Sequence, residues 1–354
     1  ISSGDLKGVT ANRNITAFSL AIKIPFVLFL FHTINKKLLK LSLASLIFLA
    51  FLCLSMIQSR ASFIGVGVII IGYSGLNVFL FYKKKEKYNL FRLGYVIIPL
   101  LLSIFINQVY FSTKGADAIS RAATISFSTN DGSVNQRLRY YEDVLTHMKS
   151  NPVFGVGLGN WKLKSIEYDA KDILGYVVPY HAHSDFIQLG AELGIIGFLL
   201  YLLVFLLAVY FVYHLIRFSD LSEKEKVFLF LLLIALGVYS VDANLNFPIA
   251  RPQVLVVWSS IMALIVGYHQ KYKNYRQKVK SNYKINITFI IFGFIIIIPC
   301  LYVTNKVYGS LKGQMFLLQD FNANKYSIPM SEVDEVVPDI PNITVTTIPI
   351  NSVK

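Results

Sequence analysis

The sequence is poor in charge and nearly free of cysteine. Only 15% of its 354 residues are Asp, Glu, Lys or Arg, whereas soluble domains carry about 25%. The two cysteines, Cys53 and Cys300, both lie within apolar runs, so the sequence predicts neither a disulfide framework nor a zinc site. These shortages argue against a water-soluble globular domain and against a disulfide-stabilised scaffold.

Long apolar runs are what the sequence has instead. They span residues 15–31, 41–57, 61–82, 93–111, 186–212, 227–241, 254–268 and 285–303. Each is near the ~20 residues that a helix needs to cross ~30 Å of hydrocarbon, and each exceeds the ~10-residue alternating strands of a membrane β-barrel. We therefore predict an all-α polytopic membrane protein with about eight transmembrane helices.

The net charge of +14 reports membrane topology. Lys and Arg residues concentrate in four short loops, at residues 36–40, 83–92, 217–226 and 271–284. Cytoplasmic loops carry such an excess, so we place these loops in the cytoplasm and expect no nucleic-acid partner. The outer segments are then 1–14, 111–185, 244–251 and 305–354.

The outer segment 111–185 is too long for a simple connection. Residues Ser133 to Gln136 form a capping-box pattern, which predicts a helix start near Ser133, and Asn151-Pro152 ends this helix. Its apolar positions follow helical spacing and predict a stripe that packs against the membrane domain: Val134, Leu138, Tyr141, Leu145 and Met148. We expect a folded, partly helical segment.

The predicted domain boundary lies after the last apolar run. We expect residues 1–304 to form the transmembrane domain and residues 305–354 to form an outer linker, extended after about Lys325, where Pro, Val, Ile and Thr dominate. Because the sequence starts without Met and ends within a polar segment, we also expect it to be part of a longer protein.

Arginines are candidate binding residues on the outer face. At 100° per residue, Arg137 lies at the edge of the apolar stripe, whereas Arg139 is rotated by about 200° and has Asp143 at i+4. Arg60 separates two apolar runs, and Arg251 shares its face of the membrane. A solvated helix face or a snorkelling side chain is the ordinary explanation of each. Convergent guanidinium groups would instead bind phosphate or pyrophosphate.

The stretch 151–161, NPVFGVGLGNW, has three glycines at alternate positions. It matches neither the Walker loop nor the dinucleotide-binding pattern, so a phosphate cradle is weakly indicated. A tight turn packed under Trp161 is the favoured interpretation.

The stretch His181-Ala-His183-Ser-Asp185 allows three interpretations. A metal site needs three or four ligands, and among the other histidines only His147 shares the outer face. An interfacial histidine pair at a helix start is the second interpretation. The third is a general base that takes a proton from a sugar hydroxyl, beside a helix N-terminus that favours an anion.

Two acids lie just inside the following apolar run. Asp185, Gln188 and Glu192 share one helix face by their spacing. Acids within a membrane span usually face a cavity or a polar partner, and Glu192 could equally bond a neighbouring helix.

These same residues carry a resemblance to a known family. The stretch 151–161, followed by residues 181–197 (HAHSDFIQLGAELGIIG), resembles the signature region of the O-antigen ligase and O-antigen polymerase family. Similar segments surround Arg13, Arg60, Arg137 and Arg251, so the resemblance covers most of residues 1–270. One departure is Ser184, which stands where the family commonly has Asn.

The resemblance implies an inverting glycosyltransferase with a GT-C-like fold at the periplasmic face of the bacterial inner membrane. The implied donor is a glycan on undecaprenyl pyrophosphate, the acceptor is a hydroxyl of lipid A core or of another glycan, and neither metal nor other cofactor is required. His183 would be the base, assisted by His181, while Arg60 and Arg137 would hold the pyrophosphate. Further candidate substrate-binding residues are Arg13, Arg139, Arg251, Asp185 and Glu192.

Other functions stay open at this point. A transporter would show internal repeats and broken helices near the bilayer midplane, and the sequence shows no repeat. A membrane scaffold and a protein O-oligosaccharyltransferase of the same superfamily are further alternatives. The sequence does not separate ligase from polymerase.

Overall fold

The computed structural model describes residues 12–111, 118–125, 131–169, 180–276 and 287–325, with isolated positions up to residue 332. Over these residues every regular element is helical. The chain divides into two compact units, of which the larger comprises Ile1–Ser165 with His181–Lys278 and the smaller comprises Ile166–Tyr180 with Val279–Lys354.

The helices in chain order are α1 (Arg13–Ala21), α2 (Ile24–Thr33), α3 (Lys37–Ile57), α4 (Arg60–Lys84), α5 (Tyr88–Phe91), α6 (Gly94–Phe111), α7 (Ala118–Ala123), α8 (Gly132–Ser150), α9 (Trp161–Asp169), α10 (Asp185–Phe218), α11 (Glu223–Leu245), α12 (Pro252–Arg276) and α13 (Ile287–Ala323). A short 3-10 turn, Pro248–Ala250, separates α11 from α12.

Seven segments of the described part are long and apolar enough to cross a membrane, which confirms the all-α polytopic architecture. They are α1 with α2, α3, α4, α5 with α6, α10, α11 and most of α12. The eighth predicted span, 285–303, overlaps α13, which is not among the seven. Because α13 continues to Ala323, residues 305–323 are helical where a linker was expected. The expected linker beyond Glu332 lies outside the described residues.

The core of the larger unit surrounds α11, which packs against α2, α4, α10 and α12. Its buried side chains include Leu232, Val238 and Tyr239. By contrast, α10 exposes a row of large apolar side chains that includes Leu199 and Leu206. Such a surface suits hydrocarbon, which is as apolar as leucine itself.

A two-residue connection fixes the start of α4. Gln58 ends α3 in the left-handed conformation (φ 56°), and the Ser59 side chain accepts a hydrogen bond from the Ser62 N–H at 3.3 Å, as an N-cap does. Arg60 is therefore the first residue of α4, at the end of a membrane span.

The long helix of segment 111–185 starts one residue earlier than predicted, and with a different cap. Asp131, not Ser133, is the N-cap of α8, because its carboxylate accepts hydrogen bonds from the Ser133 and Val134 N–H groups at 2.9 and 3.1 Å. A charged cap also interacts favourably with the helix dipole. The predicted end is correct, since α8 stops at Ser150.

The predicted apolar stripe of α8 is wrong by part of a turn. The buried side chains are Tyr140, Val144 and His147, whereas Leu138 and Leu145 are exposed. The helix packs against α10, where Met148, a residue of the predicted stripe, lies beside Gly190. Tyr140 stacks on His183 and His147 meets Trp161, so these two side chains are buried against other segments.

Candidate active site

The glycine-rich stretch 151–161 packs against an interruption in α10. At Gly194 the backbone leaves the helical region (φ 67°, ψ −166°). The carbonyls of Ala191 and Glu192 accept hydrogen bonds from the stretch, and the Ile195 N–H donates back to it, at 2.8 to 3.1 Å. Because amides of the stretch donate to carbonyls of α10, they are not free to bind a phosphate. The stretch is a tight turn held on α10, which is the interpretation that the sequence favoured.

Two glycines make this close approach possible. A Cβ atom at Gly155 would lie 2.4 Å from the carbonyl oxygen of Ala191, and one at Gly194 would lie 2.1 Å from that of Val153. Both residues have positive φ, which glycine adopts without steric cost.

A chain of polar groups connects this turn to the first histidine. The Glu192 carboxylate, only 3% exposed, accepts hydrogen bonds from the Gly159 N–H at 2.9 Å and the Gln188 amide at 3.1 Å. The amide oxygen of Gln188 lies 3.2 Å from His181 Nδ1. Since this oxygen can only accept, Nδ1 carries the proton, and Nε2 of neutral His181 keeps a lone pair.

Both histidines lie against Phe247. The His181 ring stacks on it with centroids 4.1 Å apart, and the His183 ring meets it edge-on at 5.3 Å. Burial lowers the pKa of each imidazole to about 4, and the positive charge of Arg137 contributes for His183. Both rings are therefore neutral near pH 7, the state in which an imidazole accepts a proton.

His183 has a strained backbone. Its φ of 56° lies in the left-handed region, which few residues other than glycine adopt and which concentrates at functional sites. Its Nδ1 atom is buried and has no hydrogen-bond partner among the described residues. The Leu245 carbonyl bonds the imidazole and raises its pKa, against the larger effect of burial.

Ser184 and Asp185 begin α10. The Ser184 hydroxyl caps the helix by accepting from the Ile187 N–H at 3.5 Å. Serine and asparagine are both strong N-caps, so Ser184 keeps the cap although the family that the chain resembles commonly has Asn at this position. Asp185, 1% exposed, accepts hydrogen bonds from the Ile249 N–H at 3.0 Å and the Tyr201 hydroxyl at 3.4 Å. It thereby ties the start of α10 to the 3-10 turn.

Four arginines line a cavity of about 220 Å³ at the ends of α1, α4, α7, α8 and α11. They are Arg13, Arg60, Arg121 and Arg137, and no acid is among the described residues that line the cavity. We call this site the arginine cavity. Three of its four arginines are sequence-predicted candidates.

Arg60 holds two parts of the outer segment together. Its guanidinium donates to the Asp131 carboxylate at 2.5 and 3.3 Å and to the Thr124 carbonyl at 3.1 Å. These bonds join the residue after α7 to the N-cap of α8. The hydrogen bond from Arg60 also lowers the pKa of Asp131.

Arg137 connects the arginine cavity to the histidines. Its Nε donates to the Leu245 carbonyl at 3.2 Å, and its Nη1 donates to the Ser133 hydroxyl at 2.6 Å. The Leu245 carbonyl is also the group that bonds His183. In addition, the hydroxyl of Tyr141, a cavity residue, lies 3.2 Å from the His183 carbonyl oxygen. The two sites are thus immediate neighbours.

Arg121 is a cavity residue that the sequence analysis missed. It lies on the six-residue α7, and its Nε donates to the Gln58 carbonyl at 3.4 Å. Burial lowers its pKa, and the positive charges of Arg13 and Arg60 lower that pKa further. Its only signal in the sequence is an arginine within an outer segment, where arginine is scarce.

Arg139 and Arg251 lie elsewhere. The guanidinium of Arg139 is 5.6 Å from the ring centroid of Tyr140, and that of Arg251 is 4.6 Å from the ring centroid of Phe247. Neither side chain lines the arginine cavity. Arg251 instead contacts the ring of Phe247, on which His181 also stacks.

A chain of side-chain hydrogen bonds fixes three helix ends around the cavity. The Ser59 hydroxyl donates to the Asn14 side chain at 2.8 Å, the Asn14 amide donates to Asn246 at 3.1 Å, and the Asn246 amide donates to Asp242 at 2.7 Å. These bonds join the ends of α1, α4 and α11, and so position the adjacent Arg13 and Arg60.

The histidine stretch does not assemble a set of metal ligands. Among the residues with described positions, no three His, Cys, Asp or Glu side chains converge. Asp185 is directed toward Ile249 and Tyr201 instead.

Comparison with known proteins gives one match. No curated protein and no solved structure matches the chain. The sequence profile of the O-antigen ligase family matches residues 43–202, a range that contains Arg60, Arg137, the turn on α10 and both histidines. This match supports the resemblance to the O-antigen ligase and O-antigen polymerase family found in the sequence.

Proposed function

We propose that this protein transfers a glycan from undecaprenyl pyrophosphate to a hydroxyl group of an acceptor glycan, with inversion, at the periplasmic face of the bacterial inner membrane. The observation that carries the proposal is the arginine cavity beside two neutral histidines. Guanidinium groups bind diphosphates through paired hydrogen bonds. A neutral imidazole next to them can activate the acceptor.

The reaction needs one base and one site for the leaving group. The acceptor oxygen forms a bond to the anomeric carbon while the bond from that carbon to the diphosphate breaks, and the electron pair leaves with the diphosphate. We assign the acceptor's proton to His183, whose neutral imidazole has an Nδ1 atom without a hydrogen-bond partner among the described residues. Arg60 and Arg137 offset the charge that develops on the diphosphate.

His181 assists from a fixed orientation. Its Nδ1–H is bound by Gln188, so its Nε2 can accept a hydrogen bond from the acceptor glycan. Asp185 and Glu192 act through the protein, since both carboxylates bond other residues of the chain. The acceptor is either a lipid A core or another repeat unit.

Replacing the base tests the proposal most directly. In proteoliposomes that contain the lipid-linked donor, His183→Ala is expected to slow transfer about 10²- to 10⁴-fold, the usual contribution of a general base. His214→Ala, at the other end of α10, is the matched control and is expected to leave transfer unchanged. Full transfer by His183→Ala would contradict the base assignment, and full loss in His181→Ala alone would give that role to His181.

A substitution that keeps the positive charge of Arg137 but removes its planar guanidinium group tests the role of the arginines. Arg137→Lys retains a positive charge but loses the two-pronged donor, so the KM for the donor is expected to rise about tenfold. Unchanged kinetics would contradict bidentate diphosphate binding. Transfer is expected to persist in EDTA, and its loss there would favour a metal-assisted reaction.

A further inference from the structure

The arginine cavity carries more positive charge than a lipid-linked donor requires. Four guanidinium groups line it, and Asp131 neutralises one of them through its ion pair with Arg60. Three positive charges are left without a carboxylate among the described residues of the cavity. A glycan donor is a diphosphate diester with about two negative charges, one on each phosphate.

Arg121 supplies the additional charge. Its side chain is held in place by the Gln58 carbonyl, and it lies close enough to Arg13 and Arg60 for their charges to lower its pKa. Asp131 offsets this repulsion only in part. Like charges held together at a partly buried position are unfavourable by themselves, and an anion in the cavity would relieve the repulsion.

The charge of the diphosphate rises during the reaction. When the bond to the anomeric carbon breaks, the electron pair stays on the diphosphate oxygen and the outer phosphate becomes a monoester. A phosphate monoester carries about 1.5 to 2 negative charges near neutral pH, so the leaving group carries between about 2.5 and 3. Three uncompensated arginines match this product better than they match the donor.

We propose that Arg121 is a further binding residue of the arginine cavity and that the cavity is selective for the lipid diphosphate leaving group over the donor. This inference rests on the proposed glycan transfer from a lipid diphosphate. It has a catalytic consequence, because only interactions that strengthen as the reaction proceeds accelerate the chemical step. Arg121 strengthens its interaction as negative charge develops.

Binding of short lipid phosphates tests the inference without glycan transfer. The full chain in nanodiscs of neutral phosphatidylcholine is titrated with farnesyl diphosphate and with farnesyl monophosphate, and the Kd of each is measured. We expect the diphosphate to bind at least about tenfold more tightly. Arg121→Gln is expected to weaken diphosphate binding about tenfold, which corresponds to about 1.4 kcal/mol, and to weaken monophosphate binding less than about threefold.

Two variants serve as controls. Arg121→Lys retains the charge and is expected to recover part of the lost diphosphate affinity. Arg217→Gln, an exposed arginine in the last turn of α10, is the matched control and is expected to bind both ligands as the unmodified protein does. Thermal unfolding in the same nanodiscs shows whether each variant is folded.

The outcomes separate the inference from the proposed function. Unchanged diphosphate binding in Arg121→Gln, with weakened binding in Arg137→Gln, would overturn the inference and leave the proposed function intact. Equal affinity for farnesyl diphosphate and farnesyl monophosphate would overturn the inference that the cavity selects its ligand by negative charge. Inorganic pyrophosphate binding as tightly as farnesyl diphosphate would overturn the assignment to a lipid. Tight, Arg121-dependent diphosphate binding without any glycan transfer would reject the proposed function alone.

Discussion

The histidine site and the arginine cavity are neighbours, but they are built in opposite ways. Around His181, one buried carboxylate, one amide and the turn 151–161 satisfy one another through hydrogen bonds. In the arginine cavity, guanidinium groups from four helices converge, and among the described residues one ion pair, between Arg60 and Asp131, offsets their charge. The first site is preorganised by its own polar groups, whereas the second keeps an excess of charge for an external anion.

This difference also separates stability from binding. Substitutions around the histidines leave buried polar groups or backbone atoms without room or partners, which costs folding free energy. Substitutions in the arginine cavity remove charges that repel one another, so they should change ligand affinity more than they change folding.

The largest expected effect is that of Gly155→Ala. The new Cβ would meet the Ala191 carbonyl oxygen at 2.4 Å, so the turn could not rest on α10. We expect a loss of about 4 kcal/mol or more, in the range of severe core mutations, and no glycan transfer.

Gly159→Ala is the matched control. Gly159 also has positive φ (77°), but a Cβ there meets nothing within 4 Å. Only the left-handed strain remains, about 1 to 2 kcal/mol. Thermal unfolding of both variants in detergent measures the difference, and equal destabilisation would show that the close approach to Ala191 is unimportant.

The pH dependence of glycan transfer is expected to depend on both sites. Because burial lowers the pKa of His181 and His183 to about 4, the neutral rings are favoured in the folded protein. Their contribution to stability is complete above about pH 6.5 and is lost as pH falls toward 4. In the folded protein the rings stay neutral, and so able to take a proton, until the pH approaches 4. The acid limb of kcat/KM is therefore expected well below the ordinary histidine pKa of about 6.5.

Arg137→Gln should move this limb upward. The positive charge of Arg137 is one cause of the lowered pKa of His183, so its removal raises that pKa. An Arg60→Gln variant provides the comparison, since Arg60 is not among the causes for His183. An acid limb that stays in place in Arg137→Gln would contradict the electrostatic coupling of the two sites.

A smaller effect is expected for Asp131→Asn. Asparagine caps helices as well as aspartate does, so α8 should keep its start while the arginine cavity gains one uncompensated charge. We expect farnesyl diphosphate to bind about two- to fivefold more tightly, as for a partly exposed ion pair. Weaker binding would mean that the ion pair positions Arg60 and does not merely neutralise it.

The smallest effect is expected for Ser184→Asn, which introduces the residue that the family commonly has. Both residues cap α10, so stability and transfer should stay within about twofold of the original protein. Ser184→Ala removes the cap and should cost about 1 kcal/mol of stability. A large gain in transfer with Asn would assign its amide a role beyond capping.

Features that depend on short-range interactions could be predicted from the sequence, and features that depend on long-range contacts could not. The apolar runs predicted the spans because a helix in lipid satisfies its own backbone. The end of α8 followed from Asn151-Pro152, which acts within a few residues. The stripe of α8 was misassigned because Tyr140 and His147 are buried through contacts with other segments, and His147 meets Trp161 at 5.7 Å. Hydrophobic periodicity reports only the spacing of apolar residues along one helix, so it carries no information about such contacts.

The sequence by itself determined the membrane class of this protein, its resemblance to the O-antigen ligase family and the local grouping of the turn, the histidines and the start of α10. These features depend on hydrophobicity and on residues close together in the chain. Only the tertiary structure decided that Arg121 joins Arg13, Arg60 and Arg137, whereas Arg139 and Arg251 do not. The physical reason is that the arginine cavity forms where helix ends distant in sequence meet, through bonds such as the one from Asn14 to Asn246.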